Sequence, residues 1–285
     1  MRRGFLAALA LSLPGCLLLT DLAGLSEGPA DGGASPADAE AGATFDGSPD
    51  AGLIDGSADA SVDGPFCATQ GAGATFCADF EEGLLPVPWA DEDGYGRATL
   101  DVDDLRAKTG RRSLVAACPS LTGSDNTKAT LRKPLVASLG ERLTIEFSIR
   151  PETYGNIPGG GWASVAFESQ DSSQRKSRLY FRISATTTQL LEASDLADGG
   201  VDYAETPDQP PLPLDTWTTV RIEAQLSASS SKFLLDINGV RVGQFNSNIH
   251  RYRLSPTLIA GFTFLAAPTT PWRVRFDDFV VRHTP

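Results

Sequence analysis

Between Arg3 and Arg97 the chain has no lysine or arginine, although sixteen aspartates and glutamates fall in that stretch. From Arg97 onward 22 basic residues face 20 acidic ones, so the net charge of −12 belongs to the first third. Without a basic patch there is no footprint for a phosphate backbone, which excludes nucleic acid as a partner. Histidine is scarce: His250 and His283 are the two in the chain, and neither lies near a cysteine in sequence, which argues against zinc. No apolar run reaches the roughly 20 residues a spanning helix needs. Long helical periodicity is absent. Also missing is a Glu-x-Asp-x-x-Glu strand, which would set two carboxylates on one face across a sugar. Glu146 and Glu152 are separated by Pro151, and Glu192, Asp195 and Asp198 are irregularly spaced in an expected loop. These absences lead to the expectation of a non-catalytic protein rather than an enzyme.

The chain opens Met1-Arg2-Arg3 and then runs apolar from Phe5 to Leu13, the pattern of a secretory signal. Leu13-Pro14-Gly15-Cys16 resembles the bacterial lipobox. That resemblance implies a lipoprotein signal peptide over residues 1–15, cleavage after Gly15, a diacylglycerol on the Cys16 thiol and an acyl chain on the new amine. Two or more chains anchor stably to a membrane where one binds marginally. Leu17 stands where inner-membrane retention is associated with Asp, so the expected location is the bacterial cell envelope, lipid-anchored at the outer membrane or cell surface. Residues 16–65 are rich in Ala, Gly, Asp, Ser and Pro. Such a segment buries too little apolar surface to offset the entropy of ordering, and is expected to be a disordered acidic tether. Its Asp46-Gly-Ser-Pro-Asp50 and Asp55-Gly-Ser-Ala-Asp59 repeats lack the ligand spacing of a calcium loop and read as an extended spacer. Gly24-Leu25-Ser26-Glu27-Gly28 matches the nucleophile elbow of serine hydrolases in letters only, with no strand, helix or histidine partner around it.

From residue 66 to 285 period-2 segments recur between Gly, Pro, Asn and Asp clusters, which indicates a β-sandwich. Leu143, Ile145, Phe147 and Ile149 share one face of an expected strand over 142–150. Over 177–183, Leu179, Phe181 and Ile183 point inward while Arg178, Tyr180 and Arg182 point outward. Val220, Ile222, Ala224 and Leu226 alternate against Arg221, Glu223 and Gln225, and this strand should pair with 232–237. Asn238-Gly239 then marks a tight hairpin. Leu258–Leu265 and Trp272–Val281 are expected to form the closing pair.

Phe76-Cys-Ala-Asp-Phe-Glu81, Gly110-Arg-Arg-Ser-Leu-Val115, Leu214-Asp-Thr-Trp217, Asp236-Ile-Asn-Gly239 and Val274-Arg-Phe-Asp-Asp-Phe-Val-Val281 occur in the order of the laminin-G-like, concanavalin A-like jelly rolls, which the domain resembles. The resemblance implies an all-β, two-sheet antiparallel sandwich with a glycan or protein ligand on its concave face or rim. It also takes in glycoside hydrolases and polysaccharide lyases, so the fold does not decide function. Some members hold a structural calcium between first and last strands, which here would enlist Asp79, Glu81, Asp277 and Asp278. Asp278 shares parity with Trp272, Val274, Phe276 and Val280 and so points inward unless a bulge intervenes; no other cofactor is implied.

An exported chain permits disulfides. Cys67 with Cys77 is the preferred pair and Cys77 with Cys118 the alternative. Exposed aromatics are candidates for stacking on sugars: Trp89, Tyr95, Tyr154, Trp162 and Tyr203 fall in or near expected loops. Tyr180 with Arg182 places on one strand face the base and charge neutraliser that a lyase would want. The leading expectation is a surface-tethered module that binds polysaccharide or a cell-surface protein. The alternatives are a structural or adhesive lipoprotein, or a divergent polysaccharide lyase or hydrolase.

Overall fold

A computed structural model describes residues 65–122, 126–136, 142–156, 161–170, 173–227, 231–247, 256–266 and 268–284, with backbone alone at 161–164. Cys16, the lipobox and the tether lie outside the described residues.

Among the described residues two short helical turns, Phe66–Thr69 and Gly71–Gly73, precede the strands. The first seven are β1 (Phe76–Ala78), β2 (Asp91–Tyr95), β3 (Thr99–Asp103), β4 (Ser113–Cys118), β5 (Asn126–Pro134), β6 (Arg142–Thr153) and β7 (Gly161–Gln170). Then come β8 (Lys176–Ile183), β9 (Thr188–Asp195), β10 (Val201–Glu205) and β11 (Thr218–Gln225). The last four are β12 (Ser231–Ile237), β13 (Val240–Ser247), β14 (Thr257–Ala266) and β15 (Trp272–Thr284). They form two antiparallel sheets. One runs β13-β12-β11-β6-β15-β4-β3 with β1 also on β15, and the other runs β10-β9-β8-β7-β14-β5-β2. This is the expected all-β jelly-roll sandwich.

Alternation places the core between the sheets. Leu143, Ile145, Phe147 and Ile149 of β6 meet Leu179, Phe181 and Ile183 of β8, all essentially inaccessible. Phe147 and Phe181 touch edge to face across the interior, centroids 5.5 Å apart, a geometry that adds to plain area burial. The β11–β12 pairing and the Asn238-Gly239 turn form as the pattern indicates. Both turn residues have positive φ, 49° and 78°, as a two-residue hairpin with strand-matching twist requires.

Two expectations are corrected. β14 and β15 do not pair with each other: β14 sits between β7 and β5 in the second sheet, and β15 between β6 and β4 in the first. The segment joining them crosses from one sheet to the other, as interleaved sandwich strands demand. Inward parity also fails to run the length of β15. The register against β6 shifts between Asp277 and Val280, and Asp278 adopts φ 53°. The extra residue flips the alternation, so Phe279 and Val281 join the core in place of Val280.

Candidate functional site

Five neighbouring strands of the second sheet turn side chains away from the core onto an open cavity of about 250 Å3. β2 contributes Tyr95, β5 Lys128 and Arg132, β7 Ala166 and Glu168, β8 Arg178 and Tyr180, and β14 Ile259 and Thr263. Register explains why they meet. Arg132 stands opposite Ile259, Ile259 opposite Ala166, and Ala166 opposite Tyr180. Side chains directly opposite in antiparallel strands share a face. Arg132 and Tyr180 therefore rise on either side of the short Ala166.

The lining holds three cations against one carboxylate. Glu168 is the hub: the Arg178 Nε lies 3.1 Å from it, Lys176 Nζ 3.1 Å and an Arg132 amine 3.9 Å. The network extends on one side through Arg132 to Asp93, 3.2 Å away, which Lys128 also contacts. On the other side Arg178 reaches Asp195 at 3.4 Å. The hydrogen bond from Lys128, with Arg132 beside it, holds the Asp93 carboxyl below the usual carboxylate range. Burial pushes the Tyr180 phenol up to about 12, with Arg178 partly opposing and Glu168, Asp195 and Tyr203 adding to the rise. At neutral pH Tyr180 is thus a protonated phenol beside arginine, able to donate to a developing negative charge.

Of the aromatic residues singled out in the sequence, Tyr95 and Tyr180 line this cavity. Arg182 lies on the same sheet face two residues away but is committed elsewhere: it donates to the Gln189 side-chain oxygen and lies 3.7 Å from Glu205. Tyr95 and Tyr203, expected near loops, belong to β2 and β10 and are half or more exposed. Trp162 falls within β7 opposite Phe264, and its side chain lies outside the described residues. Trp89 is corrected from an exposed platform to a core residue. It is 4% exposed, with its ring edge-on to Phe76 and Phe279, because the indole gains more from apolar contact than a rim position offers. Tyr154 is likewise structural: it packs on Trp272 and its phenol donates to the Leu212 carbonyl at 3.0 Å.

The acidic residues offered for calcium each accept hydrogen bonds within the fold. Asp79 accepts from the Cys67 N–H at 2.9 Å, and Glu81 from the Arg111 and Arg112 N–H groups at 2.7 and 2.9 Å. Asp277 accepts from Lys108 and Asp278 N–H groups, and Asp278 from the Thr109 hydroxyl. Among the described residues no group of three or more His, Cys, Asp or Glu is arranged to hold a metal ion. Burial, together with Asp79 and Glu146 nearby, raises Asp278 to about 6, and burial beside Asp278 raises Asp277 well above the ordinary carboxylate value. Cys67 and Cys77 are joined in a disulfide, and Cys118 is a buried free thiol. A second charged cluster lies on the other sheet. Arg275, 1% exposed, is gripped by Asp103 and Glu152 and hydrogen-bonds Ser113 Oγ at 3.2 Å, so its donors are consumed within the fold.

The sequence reading missed Lys128, Arg132 and Glu168. A signal was present: Lys128, Thr130 and Arg132 alternate in sequence with the apolar Ala129 and Leu131, a polar row no weaker than the one on β8, although Thr130 itself is buried.

No protein-family model matches the chain, and no curated protein matches it. Solved structures do. An endo-β-1,4-glucuronan lyase from the fungus Trichoderma reesei is similar at 13% identity and TM-score 0.55, covering 73% of this chain and 95% of its own. A glycoside hydrolase family 16 endo-glucanase from Bacteroides ovatus is similar at 10% identity and TM-score 0.51, covering 73% of this chain and 99% of its own. Both neighbours are enzymes, which overturns the expectation of a non-catalytic protein drawn from the missing carboxylate pair. At these identities the likeness is one of fold: the chain carries the concanavalin A-like jelly-roll sandwich found in polysaccharide lyases and glycoside hydrolases.

Proposed function

We propose that the chain is a carbohydrate-active enzyme whose cavity on the second sheet cleaves an acidic polysaccharide by β-elimination. The observation that carries this reading is the cavity lining: a protonated Tyr180 among Lys128, Arg132 and Arg178, with Glu168 as the single carboxylate. Elimination from a uronic acid needs the sugar carboxylate neutralised, the proton at C5 removed and the departing O4 protonated. In this reading the uronate carboxylate takes Arg132 and Arg178 as partners, releasing Glu168 to accept the C5 proton. The electron pair left at C5 forms the C4–C5 double bond as the C4–O4 bond breaks. Tyr180 gives its proton to the leaving oxygen. Arginine suits the first role because its planar fork matches a carboxylate. The known activity of the fungal glucuronan lyase is consistent with this chemistry.

Hydrolysis fits the residues less well. A glycosidase needs one carboxyl protonated and one ionised. Of the network's two other carboxylates, Asp93 is held below the usual range by Lys128 and Arg132 and so does not supply the acid, and Asp195 is taken up by Arg178 and the Lys176 N–H.

The experiment is to incubate the purified full chain with glucuronan, alginate, polygalacturonate and a neutral β-glucan. Ultraviolet absorbance from unsaturated uronate ends is expected with at least one acidic polymer. Reducing ends released from the β-glucan without that absorbance would overturn the lyase reading in favour of hydrolysis. We further propose that the domain is delivered to the cell envelope by a lipid at Cys16 and held off the membrane by the segment to residue 65.

A further inference from the structure

Resting on that reading, we propose that Tyr203 is the stacking platform of an additional sugar subsite on the β9–β10 side of the cavity. Beyond Tyr180 the outer face changes character. Tyr180 stands opposite Leu191, and Tyr203 opposite Ala193, which is itself opposite Arg178. Leu191 and Ala193 thus belong to the outer face although they are apolar, and neither is part of the inter-sheet core. In the run β5-β14-β7-β8 every strand but β14 carries charge on this face, whereas β9 carries these two residues and then Asp195, already taken up by Arg178. The result is a short apolar floor, largely covered at 4% and 9% exposure, between two tyrosines.

Tyr203 at the far end of the strip is 62% exposed, unusual for a large aromatic with no core to fill. Tyr203 and Tyr180 border the same strip, one opposite Ala193 and the other opposite Leu191 on β9. The charged groups around it are committed: Glu205, on its side of β10, faces Arg182 at 3.7 Å, and Arg182 also holds Gln189. What remains to offer a ligand is the aromatic ring, and the complementary surface on a polysaccharide is the apolar C–H face of a pyranose. Tyr95 occupies the corresponding place at the opposite edge, half exposed on β2. β2 and β10 are the two edge strands, six strand spacings apart. At about 4.8 Å per spacing the face spans roughly 29 Å, room for several sugar rings laid across the strands. The occupant is therefore the same polymer, continuing past the reacting bond.

The test uses full-length wild type, Tyr203→Ala and Tyr203→Phe. Binding to glucuronan, alginate, polygalacturonate and β-glucan is read by affinity electrophoresis, which does not depend on turnover. Cleavage of size-fractionated oligosaccharides from whichever acidic polymer is a substrate is read separately. Tyr203→Ala should weaken binding about tenfold, in keeping with loss of one aromatic contact, and raise KM on long oligosaccharides while leaving kcat and the shortest substrates unchanged. Tyr203→Phe should behave as wild type. Equal binding by wild type and Tyr203→Ala, or a loss as large on short substrates as on long ones, overturns the subsite; so does the absence of wild-type binding to all four polymers. A chain that binds through Tyr203 but releases no unsaturated ends keeps the subsite and loses the lyase reading.

Discussion

Replacing Asp278 by Asn should flatten part of the pH dependence of stability. Asp278 sits in the β15 bulge, almost inaccessible, with Thr109 donating to its Oδ1 and with Asp79 and Glu146 nearby. Its folded-state pKa, about 6, lies above the ordinary 3.8. The native state therefore holds a proton that the unfolded chain gives up, and the stabilisation this provides is full below about 3.8 and is lost as pH rises through 6. A shift of about two units corresponds to roughly 3 kcal/mol, or on the order of 6–12 °C in Tm for a domain of this size. Asparagine keeps the Oδ1 acceptor, offers its amide to the surrounding carboxylates and tolerates φ 53°. The assay is calorimetric unfolding of both proteins from pH 4 to 7.5 in chelator. The variant should match wild type near pH 4 and gain progressively toward pH 7. Loss of the Asp278 charge also relieves Asp277, which adds to the gain. Parallel curves would refute the reasoning, because they would mean Asp278 is charged in the native state throughout. Repeating the scan with calcium examines the cation implied by the family resemblance: a bound ion raises wild-type Tm at neutral pH and cannot do so through an asparagine as well.

Tyr180→Phe removes one oxygen from the cavity and should lower kcat on the acidic substrate by about 10²–10⁴-fold with Tm unchanged; near-wild-type turnover would take the proton donor elsewhere. Arg275→Met leaves Asp103 and Glu152 without their buried partner and should destabilise by about 3–5 kcal/mol in denaturant titration, while binding on the opposite sheet is unaffected. Cys16→Ser should abolish lipid attachment, read as loss of the acyl mass from the intact mature protein and its release from the membrane fraction.

Much of the sandwich was legible in the chain because strand alternation is local. A residue's neighbours two positions away decide which face it shares, so Phe147, Phe181 and Val220 could be assigned to the core and Tyr180 to the outside from sequence alone. The Asn238-Gly239 turn was legible for the same reason: two positive-φ positions declare themselves in the residue types. The bulge at Asp277–Asp278 was not, since an extra residue in β15 shows only against its partner β6, and it changes the parity of everything after it. Trp89 was misplaced because an irregular segment has no alternation to read, and the rings that bury it come from β1 and β15.

The sequence by itself determined an all-β domain, the inward set of its regular strands and a Tyr–Arg row on β8. The tertiary structure decided that β8 would lie beside β7, two strands from β14 and three from β5. Lys128 and Arg132 on β5, Glu168 on β7 and Tyr180 on β8 carry no local pattern that joins the three strands. They meet because strand order and register set the outward side chains of β5, β7 and β8 beside one another on the sheet, and those are settled by how the two sheets close over their shared core.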